Sequence, residues 1–468
     1  MSHCGYVTTL KNVRPHPNAD RLVLATCFDS TVCVAKDKYV EGEIGIYFET
    51  DLQLSVEFCE KNGLLAVYEN GVNVSGGYMD PAKRNVKAIK LRGEKSDGLF
   101  LSLACVEYTG VNLDDLHIGD QITVLNGHEI CRKFIPVRKN NPATVAGGAG
   151  KRTKRRAKRS IAPVFYEHKD TEQLQYHLED FKPGDQVEIT RKLHGTSART
   201  SHTKVLKGMK RTFGDWLFRR EGTPIYDWGY VSGTRRTVLD TYDGGFYGSN
   251  LFRKQYHEFF EGKLWKGETV YYEIVGFTHE GRPIMAQCAN KRLNDKEFVK
   301  QYGETTTFSY GCAPKAVPAL VKAPEMEEVV PAIPQSRIFV YRMTMTNEDG
   351  EVVEYTPEFM RHRCMYMGVD CVPVEWAGLI PQNPASKDDP TITAGEWILN
   401  KAKQYYDGPE PLDTSHIREG VVVRIINRPN FTAYKHKNFQ FKVLEGIIKE
   451  IADAPDMEEA DGMEEVSE

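Results

Sequence analysis

The pattern of apolar and polar positions along the chain first predicts a small all-β unit. Up to about Leu125 the apolar runs are short, as at residues 44–48 and 86–91, and Gly, Asn and Asp residues typical of turns separate them. Short strands joined by turns in this way are typical of a barrel. We therefore expect a small β-barrel domain at residues 1–130.

A second domain is predicted to begin near Pro163 and to extend over residues 163–446. Between the two, residues 131–162 are rich in Pro, Gly, Ala, Lys and Arg and lack apolar periodicity, which predicts a flexible basic linker. Five prolines in residues 311–336 exclude regular structure over most of that stretch, so we expect a surface insertion there. Residues 447–468 are predicted to form an acidic tail.

Charge is segregated along the chain although its total is small. The sequence has 61 Lys and Arg against 65 Asp and Glu, a formal net charge of −4. Residues 151–159 nevertheless read KRTKRRAKR, whereas residues 454–468 contain no Lys or Arg. The acidic end is typical of solvated, disordered chain. The basic run fits both a solvated linker and a segment that neutralises nucleic-acid phosphates.

The first residues lack the basic stretch and apolar core of a signal peptide, and no apolar run is long enough to span a bilayer. A cytoplasmic protein without membrane contacts is the resulting expectation. The ten cysteines contain no Cys-x-x-Cys pair, which argues against a zinc ribbon or a disulfide scaffold and favours reduced thiols.

Lys192 is the candidate nucleophile. It follows the alternating, strand-like residues 186–190 and lies just before Gly195, which lets the backbone turn closely around a ligand. A lysine amine that attacks a phosphate must lose a proton, which burial or neighbouring positive charge favours. Lys435 and Lys437, spaced by two on one face of a predicted strand, would supply that charge and hold phosphates. In isolation, such a pair is more often a solvated strand face.

Two glutamates lie in otherwise apolar strand-like segments. Glu419 precedes the β-branched residues 421–423, and Glu273 lies within residues 270–276. A buried carboxylate is costly without a cation or hydrogen bonds. Phosphoryl transfer requires such a cation, so we expect Mg²⁺, or alternatively Mn²⁺, with Glu419 as a metal ligand. Pairing with a structural arginine explains either glutamate equally well when it is taken alone.

Aromatic and guanidinium groups between these segments complete the candidates. Phe339 and Tyr341 share one face of a strand-like segment, and one of them could stack on a purine, although core packing is the usual role of such residues. Arg235 and Arg236 could each contact a ribose or a phosphate.

Taken in order, these segments resemble the motifs of the covalent nucleotidyltransferase superfamily, which contains ATP-dependent DNA ligases, RNA ligases and capping guanylyltransferases. Residues 192–195, KLHG, resemble its first motif. His194 stands where DNA ligases and capping enzymes usually have Asp, and is similar to the histidine of editing-type and phage RNA ligases. The resemblance implies an α+β nucleotidyltransferase domain with ATP-grasp-like antiparallel sheets.

The resemblance also implies roles for individual residues. Lys192 would form the lysyl-adenylate beside Gly195, Arg235 would contact the nucleotide, and Glu273 would lie near the ribose. His194 would take part in the first step, or would only hydrogen-bond the loop.

Further roles follow for the later motifs. Tyr341 would stack on adenine, Glu419 would help to hold the metal, and Lys435 with Lys437 would bind phosphates. Thr190 stands where DNA ligases often have a Glu that recognises adenine, which leaves the preference for ATP over GTP open.

The N-terminal region separates the relatives. Residues 16–22, HPNADRL, resemble the opening segment of tRNA-binding OB-type modules, but also fit a simple turn. DNA ligases and capping enzymes place an OB domain after the last motif, whereas here only about thirty residues follow Lys437, too few for a barrel. With residues 90–99, KLRGEKSDGL, this order resembles nick-sealing RNA ligases that carry an N-terminal OB domain.

The predicted function is ATP-dependent ligation of RNA 3′-OH and 5′-phosphate ends through lysyl-AMP and 5′-adenylated intermediates. The expected partner is RNA or a nicked duplex, and a monomer is expected. A DNA ligase or a capping-type guanylyltransferase is the alternative within the superfamily, and a non-catalytic RNA-binding protein is the alternative of a different class.

Overall fold

The computed structural model describes most of the chain. The described residues are 3–70, 72–134, 161–218, 222–239, 241–243, 247, 249–319, 331–385 and 391–450. The basic run, the middle of the predicted insertion and the acidic tail beyond Glu450 lie outside the described residues. The predicted boundaries of linker, domains and tail therefore stay predictions.

The chain folds into two compact units. The first comprises Met1–Arg138 and Phe439–Pro455, and the second comprises Lys139–Asn438 and Asp456–Glu468.

The first unit is built mainly from short strands. In chain order they are β1 (Gly5–Thr9), β2 (Lys11–Pro15), β3 (Leu22–Cys27), β4 (Ser30–Ala35), β5 (Ile44–Phe48), β6 (Leu52–Leu54), β7 (Ala66–Glu69), β8 (Val72–Gly76), β9 (Ala88–Leu91), β10 (Glu94–Asp97), β11 (Leu99–Ser102), β12 (Gln121–Ile122), β13 (Val124–Leu125), β14 (His128–Glu129) and β15 (Cys131–Lys133). Its helices are α1 (Val56–Lys61), the 3-10 helices Leu103–Thr109 and Leu113–Asp115, and the late helix Phe439–Glu450.

A four-stranded antiparallel sheet, in the order β11-β5-β1-β12, forms the largest sheet of this unit. Its side chains Val7, Ile46 and Phe48 are fully buried in one core together with Phe58 of α1. Burying each apolar side chain of this size stabilises the fold by roughly 1.5–3 kcal/mol, and this holds the short strands in place.

The two N-terminal segments singled out in the sequence contact each other. His16 Nε2 lies 3.1 Å from the carbonyl oxygen of Leu91, and Asn18 Nδ2 donates to the carbonyl oxygen of Arg92 over 2.9 Å. Arg92 and Gly93 both have positive φ, as a tight turn between β9 and β10 requires. Residues 16–22 thus brace a hairpin.

The predicted OB-type barrel is not shown. In residues 3–70 and 72–134 the described strands form separate sheets of two to four strands, and no closed barrel is found among them. The OB assignment therefore stays a prediction.

The second unit contains longer strands and most of the helices. Its strands are β16 (Glu172–Gln173), β17 (Gln186–Lys192), β18 (Thr196–Lys210), β19 (Thr223–Thr234), β20 (Val238–Leu239), β21 (Glu268–Gly276), β22 (Cys288–Ala289), β23 (Thr305–Thr306), β24 (Ser336–Thr346), β25 (Val352–Glu354), β26 (Asp370–Cys371), β27 (Val374–Leu379), β28 (Pro409–Glu410), β29 (Asp413–Ile417), β30 (Gly420–Ile425) and β31 (Thr432–Lys437).

The helices of this unit lie between the strands in sequence. They are α2 (Phe213–Leu217), α3 (Leu251–Phe260), α4 (Lys296–Tyr302), α5 (Pro357–Met367), α6 (Ala394–Lys403) and the 3-10 helices Leu174–Tyr176, Leu178–Asp180 and Asn290–Leu293. Within the described residues, none of the helices combines the length and the apolar content needed to cross a bilayer.

Two sheets, each with its own core, make up the second unit. A five-stranded sheet has the order β16-β31-β30-β17-β27, and Val187, Val423 and Ile398 of α6 share its core. The other sheet contains β20-β19-β18-β21-β24-β25, with β26 parallel to β24, and packs Ile274 against Phe252 of α3. The mixed character of the fold, with 41% strand and 20% helix, confirms the predicted combination of strands and helices.

A three-residue connection joins the two sheets. β17 ends at Lys192 in the first sheet, and β18 begins at Thr196 in the second. Gly195 lies within this connection and passes so close to β21 that a Cβ atom would lie 2.3 Å from the carbonyl oxygen of Ile274. Only glycine fits there, which explains this position of the KLHG motif.

The flanks of the predicted proline-rich insertion are tied down. Gln335 Nε2 donates to the carbonyl oxygens of Thr278 (2.8 Å), His279 (3.0 Å) and Pro314 (2.8 Å). Val317 and Ile333 form an isolated antiparallel bridge. The two described flanks of the predicted insertion therefore lie close together.

We expect Gly420→Ala to destabilise the second unit. Gly420 has φ +149°, and a Cβ atom would lie 2.2 Å from the carbonyl oxygen of His436 on the paired strand. Strain and overpacking each cost about 1–3 kcal/mol, so a loss of about 2–6 kcal/mol is expected, measured as a lower urea midpoint.

Gly208→Ala is the matched control, because nothing lies within 4 Å of a Cβ at that strand position. Equal midpoints for the two variants would contradict the close approach at Gly420.

Candidate active site

Three positions in one row across the five-stranded sheet define the centre of the site. Lys192 of β17 is in register with Gly420 of β30, which is in register with Lys437 of β31. Residues of one row point their side chains to the same face of a sheet. At the centre of this row the backbone of Gly420 lies so close to β31 that a Cβ atom would lie 2.2 Å from the carbonyl oxygen of His436.

One oxygen of the Glu419 carboxylate binds both lysines. Lys192 Nζ lies 3.0 Å and Lys437 Nζ 3.3 Å from the same oxygen, Oε1. Glu419 is only 1% exposed, and its carbonyl oxygen accepts a 2.8 Å hydrogen bond from the backbone N–H of Asn438. A carboxylate this deeply buried is stable only with cations beside it, and the two ammonium groups are those cations.

His194 is held beside the same carboxylate. Its Nδ1 lies 3.9 Å from Glu419 Oε2, and its ring meets the ring edge of Phe308 at a centroid distance of 4.7 Å. The backbone N–H of His194 donates to the hydroxyl of Tyr310 over 2.6 Å.

Tyr310 stays protonated in this environment. Burial raises the pKa of the Tyr310 phenol well above its usual value, and the charges of Glu410, Glu419 and Glu273 raise it further. The loop after Lys192 is therefore fastened by a neutral tyrosine that no sequence motif indicated.

Glu273 and Tyr341 meet the site from the second sheet. Glu273 of β21 is in register with Ser197 of β18, and the Ser197 hydroxyl lies 2.8 Å from the Tyr341 hydroxyl. The pairing of β24 with β21 skips Tyr341, since Tyr272 opposes Val340 and Tyr271 opposes Arg342. Such a bulge redirects the side chain of the extra residue.

Lys435 lies on β31, two residues before Lys437. It is in register with Val422 of β30 and with Gln173 of β16. Its spacing of two from Lys437 puts both amines on the same face, as the sequence predicted.

Arg235 and Arg236 share one partner at the end of β19. Arg235 Nη2 forms a short ion pair with Asp170, and Arg236 Nη2 lies 3.8 Å from the other oxygen of that carboxylate. The Arg235 side chain is the more buried of the two. The structure thus places the two candidate arginines side by side and anchors both.

His168 lies near several positively charged residues of the site. Burial lowers the pKa of its imidazole well below the usual range, and the positive charges of Arg342, Arg235, Arg199 and Lys192 lower it further. Its ring meets the edge of Tyr341 at a centroid distance of 4.9 Å. A neutral histidine therefore borders the aromatic side of the site, and sequence reasoning missed it because no motif surrounds it.

A buried ion cluster fixes the backbone on both sides of the centre. Arg191, which precedes Lys192, donates to Glu375 (2.7 Å) and Glu410 (2.9 Å). Arg418, which precedes Glu419, lies 3.9 Å from the same Glu375 oxygen. The neighbours of the nucleophile candidate and of its carboxylate thus share one anchor.

The structure brings the predicted residues together to different degrees. Lys192, His194 and Lys437 lie around the carboxylate of Glu419, while Glu273 and Tyr341 are each linked to Ser197, by strand register and by a hydroxyl contact. Gly195 allows the close turn beside β21. Lys435 lies two residues from Lys437 on β31, and the Arg235 guanidinium is held by an ion pair with Asp170.

The site fits a cation that is shared with a ligand. Among the described residues, no three His, Cys, Asp or Glu side chains form a ready metal site. Glu419 is a single carboxylate among amines, and Mg²⁺ in proteins is commonly bound by one or two carboxylates together with phosphate oxygens and water. A phosphate ligand would have to complete the coordination.

Solved structures of an RNA ligase from Naegleria gruberi are similar to this chain. A lysine-to-alanine variant with ATP and Mn shares 15% identity at a TM-score of 0.52, over 94% of this chain and 98% of the ligase. Another lysine-to-alanine variant with ATP and Mn gives the same values over 96% and 99%. The ligase with PPi shares 14% identity at a TM-score of 0.51 over 94% and 98%. The likeness shows that this chain has the fold of an RNA ligase nucleotidyltransferase.

No family model matches the sequence, and no curated protein matches it.

Replacing Arg191 by Met is expected to destabilise the second unit strongly. It leaves Glu410, which is fully buried, without its guanidinium partner. Breaking a buried pair in this way costs about 3–5 kcal/mol, measured by urea unfolding followed through tryptophan fluorescence.

Lys254→Met is the control, because Lys254 and Glu258 form an exposed helical pair. Such pairs contribute about 0.3–0.5 kcal/mol. Midpoints of Arg191→Met and Lys254→Met within error of each other would refute the role of the cluster.

Stability below neutral pH should depend on His168. Its folded pKa lies below the unfolded value of 6.5, so the unfolded chain binds the proton more readily. The free energy of unfolding must then fall as the pH drops through 6.5. His168→Gln should lose less stability between about pH 7 and pH 5 than the wild type, measured by urea unfolding across that range.

His362→Gln, at an exposed position of α5, is measured in parallel as the control for replacing a histidine by glutamine. A His168→Gln curve parallel to the wild type would rule out this contribution.

Proposed function

We propose that this chain is an ATP-dependent RNA ligase that joins an RNA 3′-OH to a 5′-phosphate, at nicks in a duplex, through lysyl-AMP and a 5′-adenylated RNA. The observation that carries the proposal is the convergence of Lys192 and Lys437 on the buried carboxylate of Glu419. An amine, a carboxylate and a second cation in contact suit nucleotidyl transfer and have no evident use in a purely RNA-binding protein.

In the first step, the Lys192 ammonium group gives up a proton to solvent, and its neutral Nζ attacks the α-phosphorus of ATP. A nitrogen–phosphorus bond forms, the bond to the β-phosphate breaks, pyrophosphate leaves, and the amine loses a proton. Lys437 and Lys435, on the same face as Lys192, stabilise the negative charge that grows on the departing phosphates. Mg²⁺ or Mn²⁺, with Glu419 as its protein ligand, would neutralise phosphate charge when bound.

The bound nucleotide is assigned to the junction of the two sheets. Tyr341 is proposed to stack on the adenine, Glu273 to approach the ribose, and Arg235 to contact the nucleotide. Gly195 leaves the backbone room beside these groups, since no side chain fits between it and β21. His194, within 3.9 Å of Glu419, assists in the first step.

The later steps reuse the same groups. An oxygen of the RNA 5′-phosphate attacks the AMP phosphorus, the bond to Lys192 breaks, and the amine regains a proton. The 3′-OH then attacks the adenylated 5′-phosphate and AMP leaves. The residues act mainly by positioning and by charge stabilisation, as is usual in phosphoryl transfer.

The shared fold supports this proposal. The Naegleria gruberi structures are of an RNA ligase with ATP and Mn or with PPi. We further assign residues 1–130 to an OB-type domain that holds the nucleic acid, and residues 163–446 to the nucleotidyltransferase domain.

Labelling with nucleotide tests the first step directly. Purified protein with Mg²⁺ or Mn²⁺ and α-labelled ATP should retain label after denaturation. Lys192→Ala should remove this label completely, because no other group forms the covalent bond. Lys291→Ala should keep it, since Lys291 is an exposed lysine paired with Glu304 on a surface turn.

The alternatives give different results. Label from GTP alone would favour a capping-type guanylyltransferase, and sealing of all-DNA nicks in preference to RNA would favour a DNA ligase. Absence of label with either nucleotide and either metal would refute the proposal in favour of an RNA-binding protein.

A further inference from the structure

The hairpin of β18 and β19 extends well past the sheet that contains it. β18 pairs with β21 only from Thr196 to Ser201, whereas its pairing with β19 continues to Lys210 and Thr223. Beyond Ser201 each described strand of the hairpin therefore has the other as its main neighbour. We call the described residues 202–218 and 222–230 the arm; at about 3.3 Å per residue its two-stranded ribbon is roughly 30 Å long.

The base of the arm is packed against neighbouring residues, whereas side chains further along the arm are exposed. Val205 and Val231 form a small buried core with Phe165 and Ala162. The backbone N–H of Leu206 donates to the carbonyl oxygen of Ile161 over 2.8 Å. The ribbon is thus anchored where it leaves the sheet.

The described tip presents large apolar side chains to solvent. Phe213 is 76% and Trp216 67% exposed, and Leu217 and Phe218 are similarly exposed. The rings of Phe213 and Trp216 lie 5.7 Å apart. Contiguous exposed apolar groups of this size are unfavourable in water and usually mark a binding surface.

Positive charge accompanies these aromatic groups. The described residues of the arm contain four Lys or Arg against two Asp or Glu, although the whole chain has a net charge of −4. Lys204 Nζ lies 4.8 Å and Lys266 Nζ 5.5 Å from the ring centroid of Trp228. Cations therefore extend along the ribbon and are not confined to its tip.

This combination selects the class of partner. Exposed aromatic rings stack on unpaired bases, and Lys and Arg along the same element neutralise the phosphates, which is how single-stranded nucleic acid is bound without sequence preference. An anionic membrane would engage the tip but not cations spread along the ribbon. A second copy of the chain would bring like charges together.

We propose that the arm binds a single-stranded segment of RNA next to the ends to be joined. This inference rests on the proposed ligase function for the identity of the RNA. The arm begins in the same strand as Ser197, which is in register with Glu273. RNA held on the arm is thereby tied to the strand that forms one wall of the candidate active site.

Binding of a fluorescent 20-nucleotide oligo(U) RNA, measured by anisotropy with wild-type full-length chain and variants, tests the proposal. The triple variant Phe213→Ala, Trp216→Ala, Phe218→Ala should weaken binding at least tenfold, because stacking contributes about 1–3 kcal/mol per base. The triple variant Lys207→Gln, Lys210→Gln, Arg211→Gln should lower the slope of log Kd against log salt by about 2.

Matched controls come from another exposed surface. Met365 and Tyr366 on α5 are as exposed as the tip residues. Met365→Ala, Tyr366→Ala should leave the RNA affinity and its salt dependence at wild-type values. Far-UV circular dichroism checks that each variant has folded.

Several outcomes would overturn the proposal. The first is an unchanged RNA affinity in both arm variants. The second is that the arm variants lose binding to anionic phospholipid vesicles and keep their binding to RNA. The third is that the arm variants are monomers where the wild type is a dimer. The ATP label, measured without RNA, distinguishes this failure from that of the proposed function. If RNA binding falls in the arm variants while wild type takes no label, the arm stands and the ligase assignment does not.

Discussion

The organisation of this molecule depends on one buried carboxylate and the two ammonium groups that compensate its charge. The two lysine ammonium groups, 3.0 and 3.3 Å from one oxygen of Glu419, stabilise this carboxylate in its buried position, and the carboxylate in turn helps to position both lysines. The contact requires three strands in one register and a glycine at the centre of the row. A slip by one residue in β17 or β31 would turn a lysine to the opposite face. The register of the three strands, the glycine at position 420 and the pairing of the charges therefore depend on one another.

The surroundings of this contact make it rigid. The residues directly before Lys192 and Glu419 are both arginines, and both approach Glu375. On the other side, the loop through His194 is fastened by the neutral hydroxyl of Tyr310. Positioned groups of this kind need their supports as much as their own chemistry, because small displacements weaken transfer reactions severely.

The candidate site residues that sequence reasoning named are those that depend on short motifs, and their roles stay predictions. Lys192, Glu419 and Lys437 were identified because residue type, strand pattern and order agreed, and the structure places them in contact. The mixed strand and helix fold was also predicted, whereas the N-terminal OB barrel stays a prediction. Tyr310 and His168 were missed because their proximity to Lys192 arises from tertiary packing over more than a hundred residues or across sheets, which no local pattern encodes. The bulge at Tyr341 was invisible for a similar reason, since it appears only when two strands pair.

The arm has a consequence for how such a chain can vary over time. Its outer strands touch mainly each other, so pairs of residues can be added or removed there while the alternation of faces is kept and the row through Lys192 is untouched. Insertions of this kind cost little, because lengthening a closed hairpin adds only slowly to the entropy of closure. The length of the arm can therefore change separately from the base of the same continuous strand, so that related chains can differ in the surface of the arm while the residues around Ser197 stay the same.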